Sequence, residues 1–74
     1  MPSTFDNTRS NLADNVRRIR GSVGISQEEL AFRAGIDRTY ASQIERAIAN
    51  PSLGITCAIA DALGCTVIEL LTAR

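Results

Sequence analysis

The chain has 74 residues, 45% of them hydrophobic and 22% charged, with Phe5, Phe32 and Tyr40 as its aromatics; this suits one folded domain over residues 1–74 and leaves no room for a second. Eight basic and eight acidic residues cancel, no histidine is present, and Cys57 and Cys65 stand without a second cysteine pair. These counts disfavour a polycation that coats membranes or nucleic acid, most enzyme chemistries, a zinc site and a disulfide framework.

No metal, cofactor, small-molecule effector or membrane is expected as a partner, and with no secretory stretch the expected setting is the reducing cytoplasm. The type of positive charge is more informative than its sum. All eight basic residues are Arg, whose planar fork makes two-point contacts to phosphate or to a guanine edge. Seven of them lie between Arg9 and Arg46, against five acids, so any anion-binding face belongs to the first two thirds of the chain.

Residues 1–8, MPSTFDNT, are expected as a loose arm leading to a helix start between Asp6 and Ser10. Leu12, Val16, Ile19 and Val23 recur at helical spacing and predict a first helix that ends at about Gly21. Ser26 with Glu29 has the form of a capping box and opens a second helix of about nine residues, with Leu30, Ala31 and Ala34 inward and Gly35 as its stop. Asp37 is a good N-cap for a third helix, with Ala41, Ile44 and Ile48 inward. Asn50 and Pro51 end that segment. Ser52 then caps a fourth helix that buries Leu53, Thr56, Ile59 or Ala60, and Leu63, and Gly64 stops it. Thr66 with Glu69 is a second capping box, opening a short fifth helix with Val67, Leu70 and Leu71 inward and Ile68 on another side. The expected fold class is all-α, a compact five-helix domain.

The segment from Ser26 to Arg46, SQEELAFRAGIDRTYASQIER, is two short helices joined by a tight glycine turn. That is the form of a helix-turn-helix, whose second helix enters the DNA major groove. With Ala41 and Ile44 facing the core, Arg38, Thr39, Ser42, Gln43 and Arg46 fall on the opposite face. Arg matches guanine O6 and N7, Gln matches adenine N6 and N7, and Ser and Thr serve bases or phosphates.

Residues 10–71 resemble the phage repressor and Cro type of helix-turn-helix, the xenobiotic-response-element family. The matching stretches are VRRIR, SQEELA, GIDRTYASQIER, NPSL and ADALGCTVIELL. Within that family the chain is most similar to controller proteins of bacterial restriction-modification systems. The resemblance implies a lambda-repressor-like fold and a homodimer on a palindromic duplex operator. It also implies base contacts from Arg38, Thr39 and Gln43, with Ser42 added from its place on the same edge. It assigns a phosphate contact to Gln27 and a structural ion pair to Arg20 and Glu45. Tyr40, Arg46 and Asn50 are further candidates for the DNA backbone, with Tyr40 open to two readings, a ring stacked inward as core or, the favoured one, a hydroxyl directed to a phosphate. The family usually has Gly or another small polar residue, then often a basic one, where this chain has Ala47 and Ala49, which removes two backbone contacts. Gly54 inside a helix is a second oddity, open to close packing or a turn as its reason.

Glu28 and Glu29 read most simply as acids that favour a helix N-terminus. Some relatives touch RNA polymerase from this region, which makes it a candidate partner. Phe32, off the main stripe of its helix, is either a partly buried shield over the first helix, the preferred reading, or an exposed contact, and both cysteines are expected as small buried residues. Ile68 exceeds what the core of the fifth helix needs, so the expected dimer interface is Ile68 with Val67 and Leu71. A different class of function, an antitoxin or other protein-binding module on the same fold, would have no need for a base-matching edge.

Overall fold

The computed structural model describes residues 3–74. Five α-helices follow in chain order, α1 (Thr4–Val23), α2 (Gln27–Ala34), α3 (Arg38–Glu45), α4 (Leu53–Leu63) and α5 (Val67–Leu71), with no strand among the described residues. Leu12 and Val16 of α1, Leu30 of α2, Ile44 of α3, Ile59 and Leu63 of α4 and Leu70 of α5 meet in one buried cluster. Each helix therefore contributes one apolar stripe, which is what the helical spacing of these residues requires.

The expected loose arm is corrected for residues 4–8, which are the first turns of α1. Ser3 supplies the cap, its hydroxyl accepting the Asp6 N–H at 3.0 Å, and the Arg9 guanidinium sits 5.0 Å from the Phe5 ring centre. This cap lies three residues before Asp6, the earliest expected start of the helix. Met1 and Pro2, the rest of that arm, lie outside the described residues. At its other end α1 continues past Gly21 to Val23, with Gly24 as its left-handed cap. Val23, 46% exposed, lies beyond the reach of the core.

Helix caps divide the remaining expectations. The Thr66–Glu69 box is complete, and Ser52 accepts the Ile55 N–H at 3.1 Å. Ser26 accepts the Glu29 N–H, but the Glu29 carboxylate turns to Arg33 at 2.9 Å, so only half of that box forms. Asp37 occupies the N-cap position of α3 without a side-chain capping bond.

Left-handed residues end four helices. Gly35, at φ 71°, lets Ile36 N–H reach back to Ala31 O at 2.9 Å, the reversal that turns α2 into α3. After α3 the same closure is made without glycine: Ala47 takes φ 58°, Ala47 N–H reaches Ile44 O at 3.1 Å and Ile48 N–H reaches Gln43 O at 2.9 Å. A left-handed conformation costs a residue with a Cβ about 1 kcal/mol or more. The turn also overturns the inward place of Ile48. Helical spacing stops at Arg46, leaving Ile48 53% exposed while Ala49 is buried instead. Leu53 is likewise 74% exposed. As the first residue of α4, its side chain leans toward the helix N-terminus and past the packed turns. Thr56, Ile59, Ala60 and Leu63 are buried as expected.

α5 has only five residues, too few to persist alone. Two asparagines of α1 hold its last turn: Asn15 Nδ2 donates to Leu70 O at 2.9 Å and Thr72 O at 2.8 Å, and Asn11 Nδ2 donates to Leu71 O at 3.1 Å. These are carbonyls that a helix end otherwise leaves without partners.

Candidate nucleic-acid interface

α2 and α3 pack against each other and present an outer face on which the sequence-predicted residues converge. Arg38, Thr39, Ser42, Gln43 and Arg46 line one shallow concavity of about 190 Å³ together with Gln27. Arg38, Thr39 and Arg46 are exposed; Ser42, Gln43 and Gln27 are half-buried. The opposite side of α3 explains the display, since Ala41, Ile44 and the Glu45 side chain are buried.

The distribution of ion pairs gives this face its charge. Arg9 pairs with Asp6, Arg17 with Asp14, Arg20 with Glu45 and Arg33 with Glu29. Among the described residues Arg38 and Arg46 have no carboxylate partner, and the side chains of Thr39, Ser42 and Gln43 make no hydrogen bond within the chain. A chain of zero net charge thus pairs four Arg residues of α1 and α2 with acids, sets Arg18 on the Asn15 amide oxygen, and leaves the guanidinium groups of Arg38 and Arg46 free at the two ends of α3. Free donors at a wide, shallow surface suit a polyanion whose edges carry acceptors.

Beneath the face lies the pair Arg20 and Glu45. The Glu45 carboxylate is almost fully buried and accepts Arg20 Nε at 2.6 Å and Nη2 at 3.0 Å. Arg20 Nη1 also donates to Ile25 O at 3.0 Å, tying the α1–α2 link to the same group. The hydrogen bond to Glu45 pushes the Arg20 pKa above its usual range, burial opposes that rise, and the carboxylate charge adds to it. Gln27 Nε2 donates to the same carboxylate, Glu45 Oε1, at 3.1 Å.

Two backbone candidates sit differently. The Tyr40 ring is partly buried and packed against the core. Asn50 is exposed and lines a separate groove of about 210 Å³ with Phe5, Arg9, Leu53 and Leu71, so the fold does not bring it to the α3 concavity. Phe32 is 72% exposed and shields nothing, because α2 buries only Leu30 and Ala31. Cys57 is exposed, contrary to its expected burial, and Cys65 is half-buried. Burial, then the Glu69 charge, pushes the Cys65 thiol up. Sequence reasoning passed over Asn15, although a polar residue next to Val16 and three after Leu12 on an apolar stripe is a signal for a buried hydrogen bond.

Two short helices in a glycine turn, the second held by its apolar side and free on its polar side, define a helix-turn-helix domain. Residues 16–70 match the helix-turn-helix family, and the chain belongs to it. The Neisseria hypothetical transcription factor of Neisseria meningitidis serogroup B is 46% identical over 63 residues, covering 85% of this chain and 59% of that protein. The chain thus corresponds to less than two thirds of the Neisseria protein. Control protein C.SmaI of Serratia marcescens is 40% identical over 68 residues, covering 92% of this chain and 81% of that one. The crystal structure of the restriction-modification controller protein C.AhdI from Aeromonas hydrophila superposes with a TM-score of 0.80 at 37% identity, covering 84% of this chain and 94% of that chain. The resemblance to controller proteins and the five-helix all-α fold expected from the sequence both stand.

Proposed function

We propose that the chain is a sequence-specific transcriptional regulator that binds a palindromic DNA operator as a homodimer in the cytoplasm, in the manner of a restriction-modification controller. The carrying observation is the α3 face, where Arg38 and Arg46 lack carboxylate partners while the Arg residues of α1 and α2 named above are paired with acids. Arg38, Thr39, Ser42 and Gln43 read base edges, and Gln27 and Arg46 hold phosphates on either side of them. The Tyr40 hydroxyl serves as a further phosphate donor at the edge of its packed ring. The similarity to proteins named as control proteins supports the regulatory role. A homodimer through Ile68, Val67 and Leu71 would set two α3 helices about 34 Å apart, one turn of duplex.

The test is a selection of bound sequences from random duplexes, run beside a mass measurement in solution. The expected result is one enriched inverted repeat bound by a dimer. Recovery of no preferred sequence removes base reading, and a partner protein captured in its place favours the antitoxin class.

A further inference from the structure

The bond between Gln27 and Glu45 gives the buried carboxylate a second task. We infer that Glu45 is a positioning residue for the phosphate contact of Gln27, an inference that rests on the DNA-binding reading above. An amide side chain turned by half a rotation exchanges its donor and acceptor ends. An ionised carboxylate only accepts, so the Gln27 atom 3.1 Å from Glu45 Oε1 is the nitrogen, and that choice fixes which way the whole amide faces. Arg20 holds the carboxylate in place from its other side, through Nε at 2.6 Å and Nη2 at 3.0 Å. One N–H of Gln27 is then committed to Glu45, and the second is left for a phosphate oxygen at the α3 concavity that Gln27 lines. Without the carboxylate the amide samples both faces and several rotamers, and a contact to DNA has to order it first.

Glu45 thus couples the α1–α3 ion pair to the α2 end of the binding face. This differs from a purely structural pair, which would stabilise the fold without setting the direction of any surface donor.

The experiment has two arms on the full chain. In the first, nitrogen relaxation of the Gln27 side-chain amide is measured in the free protein; a restricted amide is expected, and one as mobile as an exposed glutamine overturns the proposal. In the second, Arg20→Met with Glu45→Leu replaces the pair by apolar groups, a change that folds tolerate when both charges leave together. Duplex affinity should fall about tenfold, the effect of losing one hydrogen bond to a charged group, and equally on operator and random DNA because phosphate carries no sequence. With Gln27→Ala already in place, the same double replacement should cost almost nothing further. An equal loss with and without Gln27→Ala overturns the positioning role. A wild-type chain that binds no duplex removes the DNA-binding reading and this inference together, and is told apart because both other failures leave wild-type affinity intact.

Discussion

Arg20 and Glu45, twenty-five positions apart, meet in a two-point contact at 2.6 and 3.0 Å that ties the end of α1 to the end of α3. The Glu45 side chain is 3% exposed and that of Arg20 22%, so removing one partner leaves a charge largely cut off from water. Glu45→Gln should destabilise the fold by about 2–4 kcal/mol, somewhat below a fully buried pair because Arg20 retains contact with solvent. For a domain of this size that lowers Tm by at least about 10 °C, read by thermal circular dichroism. The raised Arg20 pKa adds no pH dependence in the working range: a group with a raised folded pKa contributes fully below its ordinary value, which for Arg covers all such pH. An unchanged Tm in Glu45→Gln would show that the contact does not support the fold.

Two opposite substitutions should both stabilise. Ala47 sits at φ 58°, where glycine has no Cβ to strain, so Ala47→Gly should add about 1 kcal/mol. Gly54 lies in the first turn of α4 with an ordinary backbone, and a Cβ there would meet only Ser52 Oγ at 3.8 Å. Neither close packing nor a turn requires glycine there, and Gly54→Ala should add about 0.5–1 kcal/mol through the unfolded chain. Urea midpoints with unchanged slopes check both. A loss of stability in either variant contradicts the corresponding backbone argument.

Which features the sequence displayed follows from which physics is local. Apolar spacing located all five helices, and the Thr66–Glu69 box was readable because both partners lie within one turn. The outer edge of α3 followed from the inward places of Ala41 and Ile44. Ile48 and Leu53 were misread for one reason: spacing alone does not say where a helix stops or how far its neighbours reach. The left-handed Ala47 was invisible because alanine gives no turn signal. The bonds from Asn11 and Asn15 to α5 span 55 to 60 positions and depend on tertiary packing. The bond of Gln27 to Glu45, 18 positions apart, likewise depends on tertiary packing.

Arg38 begins α3, is exposed and has no carboxylate partner among the described residues. At that place its fork is available to a guanine edge, so Arg38→Ala should cost about 1–3 kcal/mol on the operator and relax preference at one base pair per half-site. Gln27→Ala should instead weaken operator and random duplexes alike, as loss of a phosphate contact does. Parallel titrations on both duplexes separate the two. Equal losses for Arg38→Ala on operator and random DNA would assign that residue to the backbone.

Ile68 carries the argument for assembly. It is 77% exposed on α5, while Leu70 beside it is fully buried and Val67 and Leu71 are half-buried, so the helix meets its own core without it. In a domain of this size apolar surface in excess of the core is best covered by a second copy. Ile68→Asp should therefore give a folded monomer by circular dichroism and sedimentation. A monomer makes half of the phosphate contacts, and the salt dependence of affinity scales with the number of phosphates neutralised. Its complex should be both weaker and less sensitive to salt, with a slope of log affinity against log salt near half that of the dimer. A folded monomer with full operator affinity would separate binding from assembly. A dimer that survives Ile68→Asp would move the interface, with the groove beside Leu53 and Phe5, 74% and 48% exposed, as the next surface to charge by Leu53→Asp.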